Sequence, residues 1–298
     1  MKVKIIGCGY LGFNINNVLK DKYDCEIWGL KSYYSEKVDN FKEIDIFNSE
    51  QLKKEELDDC IIIDCISLVS NTEEDINILN KVESLYSKLF NVLKEKNIKR
   101  YVLLSSGGTI YGDSIKPISE THELNPDSVY AKSKFLLEQL IKKSTLNYLI
   151  LRPTNPYGGI FEPGKTQGVI GILIKKALLN ETFNMWIEET SVRDYIYITD
   201  FISAIDHLIK HDVNNDVYNV SSGEGKSLKE VIDAIENTTG KKIEIEKTFL
   251  DIPIVHSIVL SNDKLKEKTG FTLKVDFNEG ILKEVNRIKE EFNIWKFW

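Results

Sequence analysis

Tyr130 and Lys134 stand four residues apart in Tyr130-Ala131-Lys132-Ser133-Lys134, the spacing that puts two side chains on one face of a helix. An ammonium beside a phenol favours the phenolate, bringing a group that titrates near about pH 10 toward the range of a general base. Tyr33 and Lys37 share the spacing and read as a solvated loop pair. Context separates the two. Tyr130 opens the helix that follows a strand ending in Ser105-Ser106-Gly107-Gly108-Thr109-Ile110-Tyr111-Gly112, and such strand ends carry ligands in open α/β sheets. A second chemical feature, Gly7-Cys8-Gly9-Tyr10-Leu11-Gly12, lies between the first apolar run and an amphipathic stretch from Phe13 to Leu19. Gly7 admits a tight turn, Gly9 the close approach of a pyrophosphate, and Gly12 close helix–strand packing, while the helix N-terminus faces the phosphates. The spacing predicts a bound dinucleotide. The end of the second strand, Ile27-Trp28-Gly29-Leu30-Lys31-Ser32, has no carboxylate for a ribose 2′-hydroxyl. Lys31 and Ser32 offer a 2′-phosphate site instead, so NAD and NADP both stay open. Asp45, after a short third strand, is placed to touch the adenine amine.

The elements that position these residues are legible as an alternation. KVKII (2–6), CEIWGL (25–30), IIIDCIS (61–67), RYVLLSS (100–106) and YLILR (148–152) read as strands, with helices between them. The strands are apolar on both faces, which predicts a parallel sheet covered by helices on each side, a Rossmann-type doubly wound α/β domain. Apolar residues at helical spacing predict helices over 75–96 and 128–143. After residue 155 a Gly- and Pro-rich stretch leads to a helix near 169–179 and a strand near 183–187. The expected organisation is a dinucleotide-binding domain over 1–155, to which the chain returns around 192–222. A smaller mixed α/β substrate domain takes 156–191 and 223–298. The aromatic tail, 294–298, reads as packing.

Composition bounds the function classes. With 298 residues, 42% hydrophobic and 29% charged, the chain is long enough for one large or two joined domains. The net charge of −7 and the absence of basic runs argue against a nucleic-acid groove. No apolar stretch approaches the roughly 20 residues of a membrane span, and glycines interrupt the N-terminus before any signal-peptide core, so a cytoplasmic protein is expected. Cys8, Cys25, Cys60 and Cys65 form no CxxC pair and read as reduced thiols, mostly buried. His207 and His211 are i, i+4 on a helix, but no third ligand accompanies them and no metal site is expected.

Taken together, the glycine loop, SSGGTIYG (105–112), YAKSK (130–134), LRPTNPYG (151–158), QGVIG (167–171), SVRDYIYITD (191–200) and YNVSSGEGKSL (218–228) resemble the extended short-chain dehydrogenase/reductase family, the nucleotide-sugar epimerases and dehydratases. The resemblance spans essentially the whole chain. It implies NAD or NADP held by Gly7, Gly9, Tyr10, Leu11, Gly12, Lys31, Ser32, Asp45, Ile46, Cys65, Ser67, Ser105, Pro153, Tyr130 and Lys134. It also implies a nucleotide-diphospho-sugar held by Ser106, Asn155, Val169 and Arg193, and hydride transfer at a sugar carbon, most often C4. Tyr130 would be the acid/base and Lys134 its partner on the ribose. A homodimer paired through the helices at 75–96 and 128–143 is implied as well.

Four departures bear on the reaction. The family's catalytic Ser or Thr falls on Gly107, which leaves Ser106 or Thr109 to bond the sugar oxygen. Gly108 and Thr109 stand where 4,6-dehydratases carry acids, against dehydration. Ile187-Glu188-Glu189-Thr190 replaces a Gly-Asp-Gly, and no second phosphate-binding Arg occurs around 251–261. The expected activity is therefore a nucleotide-sugar 4-epimerase. An NADPH-dependent 4-keto-sugar reductase is the alternative, and a non-catalytic dinucleotide sensor a third.

Overall fold

The computed structural model describes residues 1–114, 116–162, 168–186, 188–248 and 256–291. Gln167, Ile187, residues 251–255 and the aromatic tail 294–298, on which the sequence raised expectations, lie outside them. In chain order the strands are β1 (Lys2–Ile6), β2 (Asp24–Gly29), β3 (Phe41–Glu43), β4 (Cys60–Asp64), β5 (Arg100–Leu104), β6 (Tyr148–Pro153), β7 (Asn155–Tyr157), β8 (Phe183–Met185), β9 (Val192–Tyr197), β10 (Asp216–Val220), β11 (Gly225–Ser227), β12 (Ile245–Lys247) and β13 (Ser257–Ile258). The helices are α1 (Tyr10–Leu19), α2 (Ser49–Leu52), α3 (Ile78–Lys94), α4 (Gly107–Ile110), α5 (Val129–Lys143), α6 (Gly168–Leu179), α7 (Ile198–Lys210), α8 (Leu228–Thr239), α9 (Asp263–Thr269) and α10 (Phe277–Glu291).

Seven strands form one parallel sheet in the order β10-β6-β5-β4-β1-β2-β3. Its strands are apolar on both faces because each face has its own core. Val3, Ile5, Ile61, Ile63, Val102 and Leu149 pack with Phe13 of α1 and Phe201 and Ile205 of α7. Ile6, Ile62, Leu103 and Ile150 pack with Tyr86 and Leu89 of α3 and Leu137 and Ile141 of α5. A second sheet, β11-β9-β13 with β7 on β9, and a two-stranded pair, β12-β8, lie with a core shared by α6, α8 and α10. The order reverses between β1 and β4, so the loops after those strands face a crevice at the switch point.

Of the boundaries that differ from the periodicity reading, three bear on the site. β4 ends at Asp64 instead of Ser67 because the Asp64 carboxylate accepts from the Ile66 N–H, an Asx turn that leads the chain out of the sheet. β5 ends at Leu104, and Ser106 already caps α4. β9 belongs to the second sheet, so the return to the large sheet begins at α7 and β10 and not at residue 192.

Candidate active site

The glycine loop makes a cradle at the switch point. Gly7 has φ +99°, and a Cβ there would meet Ile66 Cγ1 at 2.9 Å. A Cβ on Gly12 would lie 2.0 Å from the Gly7 carbonyl oxygen, so only glycine lets α1 start this close to the loop. At Gly9, by contrast, a Cβ would find no atom within 4 Å. That open side lies at the N-terminus of α1, where no side chain caps the helix and no acid sits in the first turn. Free N–H groups and unopposed dipole suit a pyrophosphate, and the cradle fits the dinucleotide the sequence predicts.

Two neighbours assigned to the cofactor do other work through their side chains. Tyr10 is buried, stacks on Phe161 with ring centroids 4.4 Å apart, and donates to the Gly158 carbonyl at 2.6 Å. Leu11 packs against the core under α1. Only their backbone faces the cradle. One turn on, the buried Asn14 donates to the Ile160 carbonyl and accepts the Ile160 N–H, completing a clasp between α1 and the 158–161 loop that the sequence did not announce.

At the end of β2, Lys31 pairs with Glu43 at 3.3 Å and both are exposed. Ser32 donates its hydroxyl to the Cys8 carbonyl at 2.8 Å, bracing the glycine loop. Glu43 ends β3 in register with Gly29, so the carboxylate missing from β2 is present on the next strand. Asp45 is exposed, with one carboxylate oxygen capping the Phe47 N–H, and Ile46 is buried in the core. Cys65 is half-buried beside the loop, its Cβ 3.5 Å from where a Gly12 Cβ would stand, and burial pushes its thiol well up. Ser67 is exposed and donates to the Val69 carbonyl.

Across the crevice, Ser128 caps α5 by accepting from the Ala131 N–H, which fixes where the helix starts and sets Tyr130 in its first turn. Lys134 is buried, donates to the Leu104 carbonyl at 3.0 Å, and lies 5.7 Å from the Tyr130 ring centroid. The pair is thereby tied to the end of β5, the strand that delivers Ser106 and Thr109. Thr109 donates to the Ser106 oxygen at 3.0 Å, leaving the Ser106 O–H to donate elsewhere. Gly107 is a steric necessity: a Cβ there would meet Leu260 Cδ1 at 2.3 Å and the Arg152 carbonyl oxygen at 2.8 Å.

Ser105 and Pro153, assigned to the cofactor, are buried. The Ser105 hydroxyl donates to Glu138 at 2.7 Å, inside a network in which Arg152 holds Glu138 with two nitrogens at 2.6 and 2.9 Å and donates to the Tyr111 hydroxyl at 2.7 Å. The side chain of Ser105 is therefore withdrawn from the crevice. The network locks α5 to β5 and β6 one turn below Lys134.

On the substrate side, Asn155 donates to the Asp194 carbonyl at 2.8 Å, and its amide lies near Gly108. Asp194 is fully buried and accepts from Ser222, Gly223 and Leu260 N–H groups. Burial pushes its pKa up to about 6 against the pull of those donors. Arg193, the next residue back on β9, is largely buried, which lowers its pKa against the pull of Tyr195 and Asp113. Val169, in the first turn of α6, packs on the core shared by α6, α8 and α10. His207 and His211 direct ring nitrogens to the Thr269 and His207 carbonyls. The four cysteines are unpaired thiols. No helix among the described residues is long and apolar enough to cross a membrane.

Comparison with known proteins agrees with this geometry. Over 309 residues the sequence is 28% identical to a putative UDP-glucose 4-epimerase of Methanocaldococcus jannaschii, covering 95% of this chain and 96% of that protein. It is 32% identical over 217 residues to dTDP-4-dehydro-6-deoxyglucose reductase of Escherichia coli, covering 70% and 68%. The fold matches that of a UDP-glucose 4-epimerase of Thermotoga maritima solved with UDP-glucose, at a TM-score of 0.83 and 24% identity over 98% of this chain and 100% of that one. A family-wide match to the NAD dependent epimerase/dehydratases runs from residue 3 to 221, from the first strand of the cradle to the last strand of the large sheet. The chain belongs to the NAD dependent epimerase/dehydratase family.

Proposed function

We propose that this protein is an NAD-dependent nucleotide-sugar 4-epimerase acting on a UDP-hexose. The observation that carries the reading is Tyr130 on α5 with Lys134 anchored to the end of β5, across the switch-point crevice from the glycine cradle. When bound, the dinucleotide supplies a hydride acceptor and, in its reduced form, a donor. Tyr130 would take the proton of the C4 hydroxyl as hydride leaves C4 for the bound dinucleotide, and return it to the 4-keto oxygen as hydride comes back to the other face of C4. Lys134 offers its remaining N–H groups to the ribose. Ser106, polarised by the Thr109 bond, donates to the same sugar oxygen. Asn155 and the Arg193 guanidinium hold the diphosphate end, an arrangement suited to bidentate contact.

We take the seven-stranded sheet with its helices as the dinucleotide-binding domain, and the smaller sheets with α6, α8 and α10 as the substrate domain. NAD is favoured over NADP because Glu43 occupies Lys31 and sets a negative charge beside it, and Ser32 is engaged by Cys8. The half-buried leucines Leu136 and Leu140 of α5, beside a 170 Å³ groove shared with α3, support a homodimer through these helices. Four free thiols suit the cytoplasm.

The E. coli relative keeps the 4-keto-sugar reductase in view. Denaturing the purified protein and identifying the released dinucleotide separates the two. Stoichiometric NAD or NADH is expected, with interconversion of UDP-glucose and UDP-galactose. An empty site that binds NADPH preferentially moves the assignment to the reductase, and failure to bind either dinucleotide overturns both.

A further inference from the structure

Asp64 is a buried carboxylate that the chemistry above does not use. It is 1% exposed at the end of β4, and three donors converge on it: the Tyr86 hydroxyl from α3 at 2.9 Å, the Tyr101 hydroxyl from β5 at 2.7 Å, and the Ile66 N–H. Both phenols reach the same oxygen, Oδ2. Burial pushes the pKa of this carboxyl up, while the three donors and Lys134 pull it back toward the carboxylate. Such a group is costly in a core unless a positive charge lies near it. The other titratable groups facing it are the two phenols, the Cys65 thiol just past the end of β4, and the cationic Lys134 on α5. Glu138, four residues beyond Lys134, is turned away into the Arg152 pair.

A small cavity is bordered by Tyr86 and Lys134. It has a volume of about 10 Å³, the room of a single water, and the loop after β4 (66–69), Val82, Ser133 and Leu137 complete its lining. Tyr86 thus donates its hydroxyl to Asp64 and lines the space that Lys134 also borders. Tyr101 makes the same bond to Asp64 without lining that space.

We propose that Asp64 and Tyr86 are positioning residues for the acid/base pair: Asp64 fixes the Tyr86 side chain, which borders Lys134 across a one-water cavity, and its charge acts on the ammonium. The proposal rests on the reading of Tyr130 and Lys134 as the acid/base pair. Its consequence is that the ammonium feels a fixed counter-charge nearby as well as the Leu104 carbonyl it donates to. The charge of Asp64 thereby acts on the phenol two steps away.

The test compares NAD-loaded wild type with Tyr86→Phe, Tyr101→Phe and Asp64→Asn, using UDP-glucose as the probe and following kcat, KM, the pH profile of kcat and thermal stability. Tyr86→Phe and Tyr101→Phe lose the same hydrogen bond to Asp64, so a purely structural role lowers both alike. The expected result is a kcat lowered about tenfold at unchanged KM in Tyr86→Phe, and within about twofold of wild type in Tyr101→Phe. In Asp64→Asn, removal of a negative charge moves the acid limb of the profile toward lower pH by about one unit. Equal losses in the two phenylalanine variants, or an unmoved limb in Asp64→Asn, overturn the proposal. Should Asp64→Asn fail to fold, the comparison of the two phenylalanine variants decides. Tyr130→Phe serves as the reference: full activity there overturns the acid/base reading itself, whereas an inactive Tyr130→Phe beside matched Tyr86→Phe and Tyr101→Phe overturns only the role of Asp64 and Tyr86.

Discussion

Restoring a hydroxyl at position 107 is the obvious way to improve the site, and the packing argues that it fails. Leu260, whose N–H is fixed by the Asp194 carboxylate, fills the volume a side chain would need, and the Arg152 carbonyl closes the other side. Gly107→Ser is expected to lose about 1–3 kcal/mol of stability, read by chemical denaturation, with no gain in kcat. Pairing it with Leu260→Ala is expected to recover part of the loss. In the proposed mechanism Ser106 carries the donor role in its place, since Thr109 already satisfies its acceptor side. The sequence named Ser106 and Thr109 as candidates by elimination. It had no means of showing why Gly107 is glycine, because the residue that excludes a side chain is more than 150 positions downstream.

Among the elements, β3 and β9 carry consequences that periodicity hides. Glu43 sits on β3 opposite Gly29, so its charge acts at the end of β2 through lateral pairing. Glu43→Gln removes that charge and frees Lys31. The affinity for NADP relative to NAD is expected to rise about tenfold, measured by titration of each dinucleotide. An unchanged ratio would place Lys31 and Glu43 away from the adenosine ribose. On β9, Asp194 has a folded pKa near about 6 against roughly 3.9 in an unfolded chain, so the folded state binds the extra proton. Its contribution to stability is full below about pH 4, is lost as pH rises to about 6, and is flat above. The stability deficit of Asp194→Asn relative to wild type should therefore shrink by about 3 kcal/mol across that window. A deficit that grows with pH would show a carboxyl held low instead. The strands, the first turn and α1, α3 and α5 were legible because local pattern sets them. The side chains of Tyr10, Ser105 and Ser32 were not, since a motif fixes where the backbone runs while distant partners decide where a side chain points.

At the scale of the whole molecule, a fully formed core on each face of the large sheet leaves one helical surface without a solvent-facing residue to explain it. From Val129 to Ile141 every position of α5 is at least partly buried, although the helix lies on the outside with α3. A second copy covering Leu136 and Leu140 would complete that surface. Leu140→Glu is expected to convert the dimer to a monomer in light scattering at micromolar concentration. A wild-type monomer at the same concentration would remove the pairing.

The clasp between α1 and the 158–161 loop also has a kinetic side. The Tyr10 hydroxyl bond to the Gly158 carbonyl closes 148 residues, and the Asn14 bonds to Ile160 close 146. Contacts of such separation form late, after the ordering cost of everything between has been met. During synthesis α1 therefore emerges well before the loop that covers its outer face. The cradle is translated ahead of the segment that makes it rigid, which ties cofactor capture to a chain made at least as far as the 158–161 loop.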